Sequence, residues 1–442
     1  MIEEQNTTGS RAGNPMRRVL RQRDFRLLWI GQSTSLLGDH FHFIAISWLV
    51  LQLTGDPLAL GTVLALGGIP RALFTLIGGA ITDRFSPRAV MLLSDSARLA
   101  LTLLMAMLVL ADAMQVWMFY IFALSFGVVS GFFLPASMAI LPRITPAEDL
   151  QGGNALVQGT SRLVSSLGPV LAGGAIAWAA RITAGSENAE QLGVGMALLL
   201  DAVTFVISVV TLWLIRARHA PQVAHEAGAQ SVWAAMREGL RYAWEHPLLR
   251  TLLLLIAAVN VLLTGALLVG IPVLADARLP EGAVAFGLIT GAFAGGSLLG
   301  IILAGMVRST RATGLLAVLL VVIFGVGMMA LSLITTAWAG AAIMALLGLA
   351  DGFLSVRLVT YLQRRTPPEL LGRIMSLILF ANIGLAPLSQ AVAGALSRYT
   401  IDGLFIGAGV ALLCVAGWLA TQPFVRIVDQ ELSEPSDPVA AQ

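Results

Sequence analysis

Long apolar stretches recur along the chain, and short polar segments separate them. About 20 apolar residues make a helix long enough to cross the hydrocarbon core of a bilayer. Lipid cannot satisfy free backbone N–H and C=O groups, so such stretches are expected to be helical. The pattern therefore predicts an all-α, polytopic membrane protein with twelve transmembrane helices in two pseudo-symmetric six-helix bundles. The predicted spans are residues 26–53, 57–81, 88–111, 115–141, 156–180, 193–215, 248–275, 283–307, 312–335, 337–361, 373–398 and 402–424.

A polar stretch after the sixth span divides the chain into two parts. Residues 232–244 within it have the periodicity of an amphipathic helix that lies at a membrane surface. The tail after Val425 is acidic and contains Pro and Ser, a composition typical of disorder. The expected organisation is a cytoplasmic tail (1–25), a six-helix bundle (26–215), a cytoplasmic linker (216–247), a second six-helix bundle (248–425) and a cytoplasmic tail (426–442).

An internal repeat relates the two parts. Residues 141–150 read LPRITPAEDL and residues 362–371 read LQRRTPPELL, so both follow the frame L-x-R-x-T-P-x-E-x-L, 221 residues apart. At the same offset, Asp39 corresponds to Asn260. Two parallel repeats with the substrate site between them at mid-membrane are a common transporter plan. We therefore expect the substrate site to lie between the two bundles.

Composition supports a membrane location and excludes several chemistries. The chain is 57% hydrophobic and 12% charged, against about 25% charged in soluble domains. All 27 basic residues are arginine, which excludes lysine chemistry, and they are spread over many loops, so we expect no nucleic-acid partner. The single cysteine, Cys414, cannot form an internal disulfide, and we expect it to be buried in its apolar run.

The arginines predict the orientation, since cytoplasmic loops of membrane proteins are enriched in basic residues. With the N-terminus inside, the segments on the cytoplasmic side contain 20 arginines and those on the other side contain three. We therefore expect a multi-pass protein of the cell membrane with both termini in the cytoplasm.

The loop after the second span, residues 79–88, carries Gly79, Asp83, Arg84 and Arg88. It resembles the signature loop G-x-x-x-D-R-x-G-R-[RK] of the major facilitator superfamily, although Ser86 stands at the second glycine position. The resemblance implies a charged latch on the cytoplasmic side that helps to hold one state of the transporter and does not touch substrate.

A second segment, residues 168–174, contains Gly168, Pro169 and Gly173. It resembles the antiporter motif G-P-x-x-G-G of drug exporters, with Ala172 at one glycine position. Glycine and proline in this pattern predict a helix kink and tight packing. An ordinary Gly/Pro-rich membrane helix is the alternative interpretation.

Further segments resemble one branch of the superfamily, the macrolide-efflux and enterobactin exporters. They are residues 31–39, 51–55, 70–71, 95–98 and 141–155. The resemblance implies a secondary active transporter that exports an amphipathic or cationic molecule, such as a drug, macrolide or siderophore-like metabolite. It implies proton antiport through alternating access, so the proton gradient is the driving force and no cofactor is expected.

Charged residues inside a bilayer are costly, so each one suggests a function. Asp39 lies near mid-membrane in the first span and is the first candidate for proton coupling, with a structural ion pair as the alternative. Asp201 and Asp351 are further candidates. His42, Arg162 and Asn260 join Asp39 as substrate-cavity candidates, and Arg162 is expected either to pair with Asp39 or to meet an anionic substrate. Asp95 and Arg98 share one helix face at i, i+3 and predict a structural charge pair.

Other functions compatible with such a chain are an importer or uniporter of a small metabolite, a membrane-embedded enzyme, and a sensor that does not transport. The sequence contains no Walker loop, no H-E-x-x-H metal site and no G-x-S-x-G elbow, so we expect no metal and no enzymatic activity. The expected partners are the substrate, protons and the bilayer, with a functional monomer.

Overall fold

The computed structural model describes residues 15–183, 188–216, 240–307 apart from 243, 313–365, and 374–422 apart from 375, 376, 379, 380 and 383. At residues 15, 76, 79–81, 83, 84, 313, 364 and 365 it describes the backbone alone. Every regular element in the described ranges is helical. The predicted all-α fold is therefore confirmed.

A short helix and six long helices form the first part of the chain. They are α1 (Pro15–Arg21), α2 (Arg23–Thr54), α3 (Pro57–Arg84), α4 (Pro87–Leu110), α5 (Val116–Ile144), α6 (Leu150–Ile182) and α7 (Ala189–Leu214), with a 3₁₀ turn at Ala147–Asp149. Prolines at the start of α3 and α4 suit the first helical turn, where a backbone N–H has no partner inside the helix.

Seven helices follow in the second part. They are α8 (Pro247–Gly265), α9 (Ile271–Arg278), α10 (Ala283–Met306), α11 (Thr313–Leu331), α12 (Ala337–Arg365), α13 (Ala386–Tyr399) and α14 (Ile401–Thr421), and a π-helical segment (Ala266–Gly270) joins α8 to α9. We call α2–α7 the first half and α8–α14 the second half.

Eleven helices of the described residues are long and apolar enough to cross a membrane. The predicted eleventh span, 373–398, is described continuously only from residue 384 onward, where α13 begins at Ala386. Most of the predicted amphipathic helix of the linker, residues 232–239, lies outside the described residues.

Large apolar side chains cover the outer surface of the bundle. Leu93, Met138 and Leu333 are 74%, 68% and 80% exposed. Exposed apolar surface on this scale is unfavourable in water and favourable in lipid. Cys414 also lies on the exposed surface, so the expectation that it is buried was wrong. Its apolar sequence context reflects a helix face toward lipid, which periodicity alone does not distinguish from a core face.

Side-chain contacts show which helix ends share a side of the membrane. Arg88, at the start of α4, donates hydrogen bonds to the carbonyls of Leu212 (2.7 Å) and Trp213 (2.6 Å), at the end of α7. Gln191, at the start of α7, donates to Asp112 after α4 (2.9 Å). We call the side on which α2 begins the near side and the opposite side the far side.

The helices of each half pack on one another, and two seams join the halves. In the first half, α2 packs on α6 and α7, α3 on α5, and α4 on α5 and α7. In the second half, α10 packs on α12, α11 on α14, and α8 on α13. The main contacts between the halves are made by α6 with α10 and by α3 with α13.

The π segment interrupts the seventh span where that span packs against α13. The Ser389 hydroxyl accepts a hydrogen bond from the Gly265 N–H (2.7 Å) and donates one to the Val261 carbonyl (2.5 Å). A side chain therefore satisfies backbone groups where the regular helical bonding pattern changes. Such segments are frequent at functional sites.

Candidate functional site

A cluster of charged residues lies among α2, α4 and α7 in the first half. α2 contributes Asp39 and His42, α4 contributes Asp95 and Arg98, and α7 contributes Asp201. These helices are held together by packing, so residues far apart in sequence meet inside the bundle. Four of these five residues, all except His42, carry charge within helices long enough to cross the membrane.

Arg98 is the centre of this cluster. It donates a short hydrogen bond to Asp95, and the Ser208 hydroxyl donates another to the second Asp95 oxygen (2.5 Å). The guanidinium lies between two aromatic rings, 4.2 Å from the centroid of Phe133 and 4.9 Å from that of Phe205. Asp95 and Arg98 are both buried, so the i, i+3 pair expected from the sequence is formed and is fixed on several sides.

Asp39 faces open space. Its side chain is 47% exposed, and its carboxylate lies 3.4 Å from Arg98 Nη1. Arg98 therefore pairs with two carboxylates, at a short distance with Asp95 and at a longer one with Asp39. Because Asp39 pairs with Arg98, the pairing of Asp39 with Arg162 considered from the sequence is not formed. Sequence alone offers no means of choosing between two arginines on different helices.

Asp201 is fully buried and belongs to the same cluster. One of its oxygens lies 3.2 Å from His42 Nδ1 and 3.4 Å from the Thr102 hydroxyl. Its other oxygen has no hydrogen-bond partner among the described residues. The His42 ring also stacks against Phe126, with centroids 4.1 Å apart, which fixes its orientation. His42 therefore lies where it can share a proton with Asp201.

His40 lies on another face of α2 and contacts the antiporter-like segment of α6. A side chain at Gly168 would lie 2.8 Å from the His40 ring, so α2 and α6 approach closely because position 168 has no side chain. This proximity connects the charged cluster to the segment around Pro169.

The same segment forms the seam with α10. A Cβ at Gly287 would overlap the Pro169 carbonyl and lie 3.3 Å from Gly173 Cα. One turn nearer mid-membrane, the Ser166 hydroxyl donates to the Gly291 carbonyl (3.4 Å). The two backbones therefore touch directly, which requires glycine at Gly173 and Gly287. This is the packing role expected from the motif.

Other contacts also join the halves on the far side. A Cβ at Gly61 of α3 would lie 2.9 Å from Gly394 Cα of α13. Gln52 donates to Asp276 (3.0 Å), and Asp56 lies 3.7 Å from Arg398.

Within the described residues, every hydrogen bond, ion pair and glycine contact between the halves lies between mid-membrane and the far side. The two halves are thus closed together on the far side in this conformation.

The second half has fewer charges at the corresponding depth. The Asn260 amide donates to the carbonyl of Ile256 in its own helix (2.9 Å). Asp351 of α12 accepts from the Ser297 hydroxyl of α10 (3.3 Å). Among the predicted site residues, the structure brings together Asp39, His42, Asp95, Arg98 and Asp201. Asp351 and Arg162 lie outside this cluster.

The predicted latch is only partly described. Only the backbone is described at Gly79, Asp83 and Arg84. Arg88 satisfies backbone carbonyls at the end of α7, where helix carbonyls have no partner inside the helix. The described residues hold no group of three His, Cys, Asp or Glu that could bind a metal ion.

Sequence reasoning missed the hydroxyl groups that complete these sites. Thr102, Ser208 and Ser297 each hydrogen-bond to an intramembrane aspartate. Thr102 lies four residues after Arg98, so helical spacing could have suggested it. Ser208 and Ser297 carry no such signal, because serine is common in membrane helices.

Comparison with known proteins agrees with this architecture. The family model of the Major Facilitator Superfamily matches residues 28–388. The multidrug efflux pump Tap of Mycolicibacterium fortuitum is 26% identical over 420 residues, covering 91% of this chain and 96% of Tap. Macrolide efflux protein A of Streptococcus pyogenes is 27% identical over 144 residues, which are 32% of this chain and 36% of that protein.

Solved structures share the fold. A bacterial homologue of the iron transporter ferroportin, in an inward-facing state, has a TM-score of 0.68 at 18% identity, over 90% of this chain and 99% of that one. The nucleoside transporter NupG has a TM-score of 0.65 at 14% identity, over 93% of this chain and 100% of that one. Together with the apolar spans and the match over most of the chain, these similarities show that this multi-pass membrane protein is a transporter of the Major Facilitator Superfamily.

Proposed function

We propose that the protein exports amphipathic or cationic molecules across the cell membrane in exchange for protons. The names of the relatives support efflux, since they include a multidrug efflux pump and a macrolide efflux protein. The observation that carries the proposal is the composition of the cluster among α2, α4 and α7. Three carboxylates lie there with a single arginine, inside membrane-spanning helices; two of them pair with Arg98, and the third, Asp201, contacts His42.

The charge of this cluster favours the uptake of a cation. With His42 neutral, the three aspartates outnumber Arg98 by two negative charges. Unpaired charge is costly away from water, and binding a proton or a cationic substrate reduces that cost. A proton and a substrate cation therefore compete for the same excess negative charge, which is the requirement for exchange.

The carboxylates have different environments and hence different roles in the proposal. Asp39 is half-exposed and loosely paired, so it exchanges protons with the cavity and meets the substrate. Asp201 is sealed from the cavity and shares a proton with His42. Asp95 holds Arg98 in place. Proton transfer between groups within hydrogen-bond reach requires little movement.

The proposed cycle uses the conformation that the structure describes. The arginine distribution favours the near side as the cytoplasm and both termini inside. With the far side closed, protons leave to the cytoplasm and a substrate binds near Asp39. After the halves close on the near side and open on the far side, external protons displace the substrate. No cofactor enters this cycle, and one protein chain contains every group that it needs.

The test measures accumulation of a fluorescent cationic dye in cells that express the wild type, Asp39→Asn, Asp201→Asn or no transporter, with and without a protonophore. We expect the wild type to lower dye accumulation, the protonophore to abolish this, and each variant to extrude at least tenfold more slowly. The matched control is Asp112→Asn, since Asp112 lies in an exposed loop and asparagine tolerates its positive φ of 53°.

Immunoblots of membrane fractions would verify equal amounts of each variant. Normal proton-dependent extrusion by both Asp39→Asn and Asp201→Asn would contradict the proposed coupling. Energised uptake into right-side-out vesicles would instead establish an importer on the same fold.

A further inference from the structure

A second polar site lies at the seam where α6, α10 and α12 meet. Asp351 of α12 accepts a hydrogen bond from Ser297 of α10 (3.3 Å). The helices are close there because a Cβ at Gly352 would overlap the Ser297 backbone. The carboxylate therefore lies beside α10, at the depth of Ser297.

The register of the α6–α10 seam brings Arg162 to the same depth. α6 and α10 run antiparallel, with Pro169 against Gly287 and Ser166 against Gly291 and Gly295. Arg162 lies one helical turn before Ser166 on the same face of α6. Continuing the register by one turn places Arg162 level with Ser297, the residue that donates to Asp351.

Neither charge is satisfied within the described residues. The only hydrogen bond of Asp351 is the one from Ser297, and Asp351 has no ion pair there. Arg162 has no hydrogen bond or ion pair there and is exposed. A side chain added at Gly159, one turn away, would meet no atom within 4 Å, so this face of α6 borders open space. A carboxylate and a guanidinium that lack partners inside a membrane protein each cost free energy.

We propose that Arg162 and Asp351 form a second subsite of the transport cavity, which binds the dipolar end of a substrate. An ammonium group would bind Asp351, and a carboxylate or carbonyl oxygen of the same molecule would bind Arg162. The chemical class is therefore an amphipathic zwitterion, or an amine that also carries a hydrogen-bond acceptor. The inference rests on the proposed function only in taking this cavity as the route of the exported molecule.

Two features favour a bridging ligand over a direct ion pair. Ser297 already bonds to Asp351, and Asp351 and Arg162 form no ion pair with each other among the described residues. Arg162 also belongs to the first half and Asp351 to the second, and a molecule that binds both therefore senses the relative position of the halves. The subsite differs from the one at Asp39, which lies on α2 beside Arg98.

The experiment measures binding to the purified full-length protein in lipid nanodiscs by calorimetry. The probes are norfloxacin, which is a zwitterion, tetraphenylphosphonium, a cation without a hydrogen-bond acceptor, and chloramphenicol, which is neutral. The variants are Asp351→Asn and Arg162→Gln. The matched control is Arg181→Gln, an exposed arginine at the far end of α6.

We expect each variant to weaken norfloxacin binding about tenfold, a loss typical of a hydrogen bond to a charged group. Asp351→Asn should also weaken tetraphenylphosphonium binding, whereas Arg162→Gln should leave it unchanged. Chloramphenicol binding should be the same in all variants. This pattern distinguishes a ligand contact from a structural role, which would affect all three probes together.

Several results would overturn the inference. They are unchanged norfloxacin affinity in both variants, failure of the wild type to bind norfloxacin, and equal loss of all three probes. The dye experiment at Asp39 is independent of them. If dye extrusion depends on protons and norfloxacin binding is unchanged in the seam variants, the subsite is wrong and the exporter proposal stands. If the seam variants lose norfloxacin binding and extrusion does not depend on protons, the subsite stands and proton coupling is wrong.

Discussion

The two halves of the molecule share a scaffold and differ in their charge. α5 spans Val116–Ile144 and α12 spans Ala337–Arg365, so both ends of α12 lie 221 residues after those of α5. The offset is the one that relates the two LxRxTPxExL segments. The repeat visible in the sequence thus extends to helix boundaries in three dimensions.

At the same offset, most residues of the charged cluster correspond to uncharged residues in the second half. Asp39 corresponds to Asn260, and Asp95 and Arg98 correspond to Leu316 and Leu319. Intramembrane charge is costly, so a duplicated scaffold needs it only where it performs a function. In our proposal, the first half therefore binds protons, whereas the second half supplies an apolar counterpart to the cluster and contributes Asp351 at the seam.

The largest effect is expected when Arg98 is replaced by leucine, the residue at the corresponding position of the second half. Arg98→Leu leaves Asp95 buried without its cation, which typically costs about 3–5 kcal/mol of stability. We expect little folded Arg98→Leu protein, measured as the monodisperse fraction after solubilisation in mild detergent.

The double variant Asp95→Leu/Arg98→Leu sharpens this test, because it removes both charges as the second half does. We expect it to recover most of the folded yield and to remain inactive in proton-dependent extrusion. Equal instability of the single and double variants would show that the pair is not the source of the effect.

The next largest effect is expected for variants that swap the residues at positions 39 and 260. We expect Asp39→Asn to slow proton-dependent dye extrusion at least tenfold, because the exposed acid of the cluster is lost. Adding Asn260→Asp should not restore it, since Asn260 has no arginine partner among the described residues and bonds to its own helix. Extrusion rates in energised cells check both variants, with Asn260→Asp alone as the control. Rescue by the double variant would mean that the halves are interchangeable.

A smaller effect is expected at the α6–α10 seam. Gly173→Val places a side chain against the Ala283 carbonyl and Gly287, and overpacking costs about 1–3 kcal/mol. The cost applies only while the far side is closed, so the population shifts toward the far-open state. Spin labels at Gln115 and Thr335, one in each half on the far side, should show a longer mean distance.

Gly174→Val is the matched control for this seam, because a Cβ at Gly174 would meet no atom within 4 Å. Distances that are unchanged in Gly173→Val, or equally long in both variants, would count against a closed seam in solution.

The smallest effect is expected for Cys414→Ser. Its side chain lies on the exposed surface, and substitutions away from packed sites usually change stability by less than about 0.5 kcal/mol. Thermal unfolding and dye extrusion should match the wild type. A clear loss of either would place Cys414 in a contact that the structure does not show.

The sequence predicted well what depends on length and local spacing. Span positions follow from the thickness of the bilayer, and the contact between Asp95 and Arg98 follows from their i, i+3 spacing on one helix. Residues that meet through packing could not be predicted in the same way. His42 and Asp201 are 159 residues apart and meet only because α2 packs on α7.

The partner of Asp39 could not be chosen from the sequence for the same reason. Both Arg98 and Arg162 lie at a suitable depth, and only the packing of α2 and α4 on α7 selects Arg98. The role of the glycines around Pro169 was predictable as close packing. Their partner, Gly287 on α10, required the structure, because glycine is frequent throughout these helices.

The π segment divides the seventh span into two helices, α8 and α9, with different neighbours. α9 contacts the first half through Asp276 and Gln52 and its own half through Arg278, which donates to Asp402 (2.6 Å). α8 packs against α13 of its own half. Ser389 supports the backbone at the joint between them. Two separate parts of one span therefore make the contact with the first half and the packing against α13.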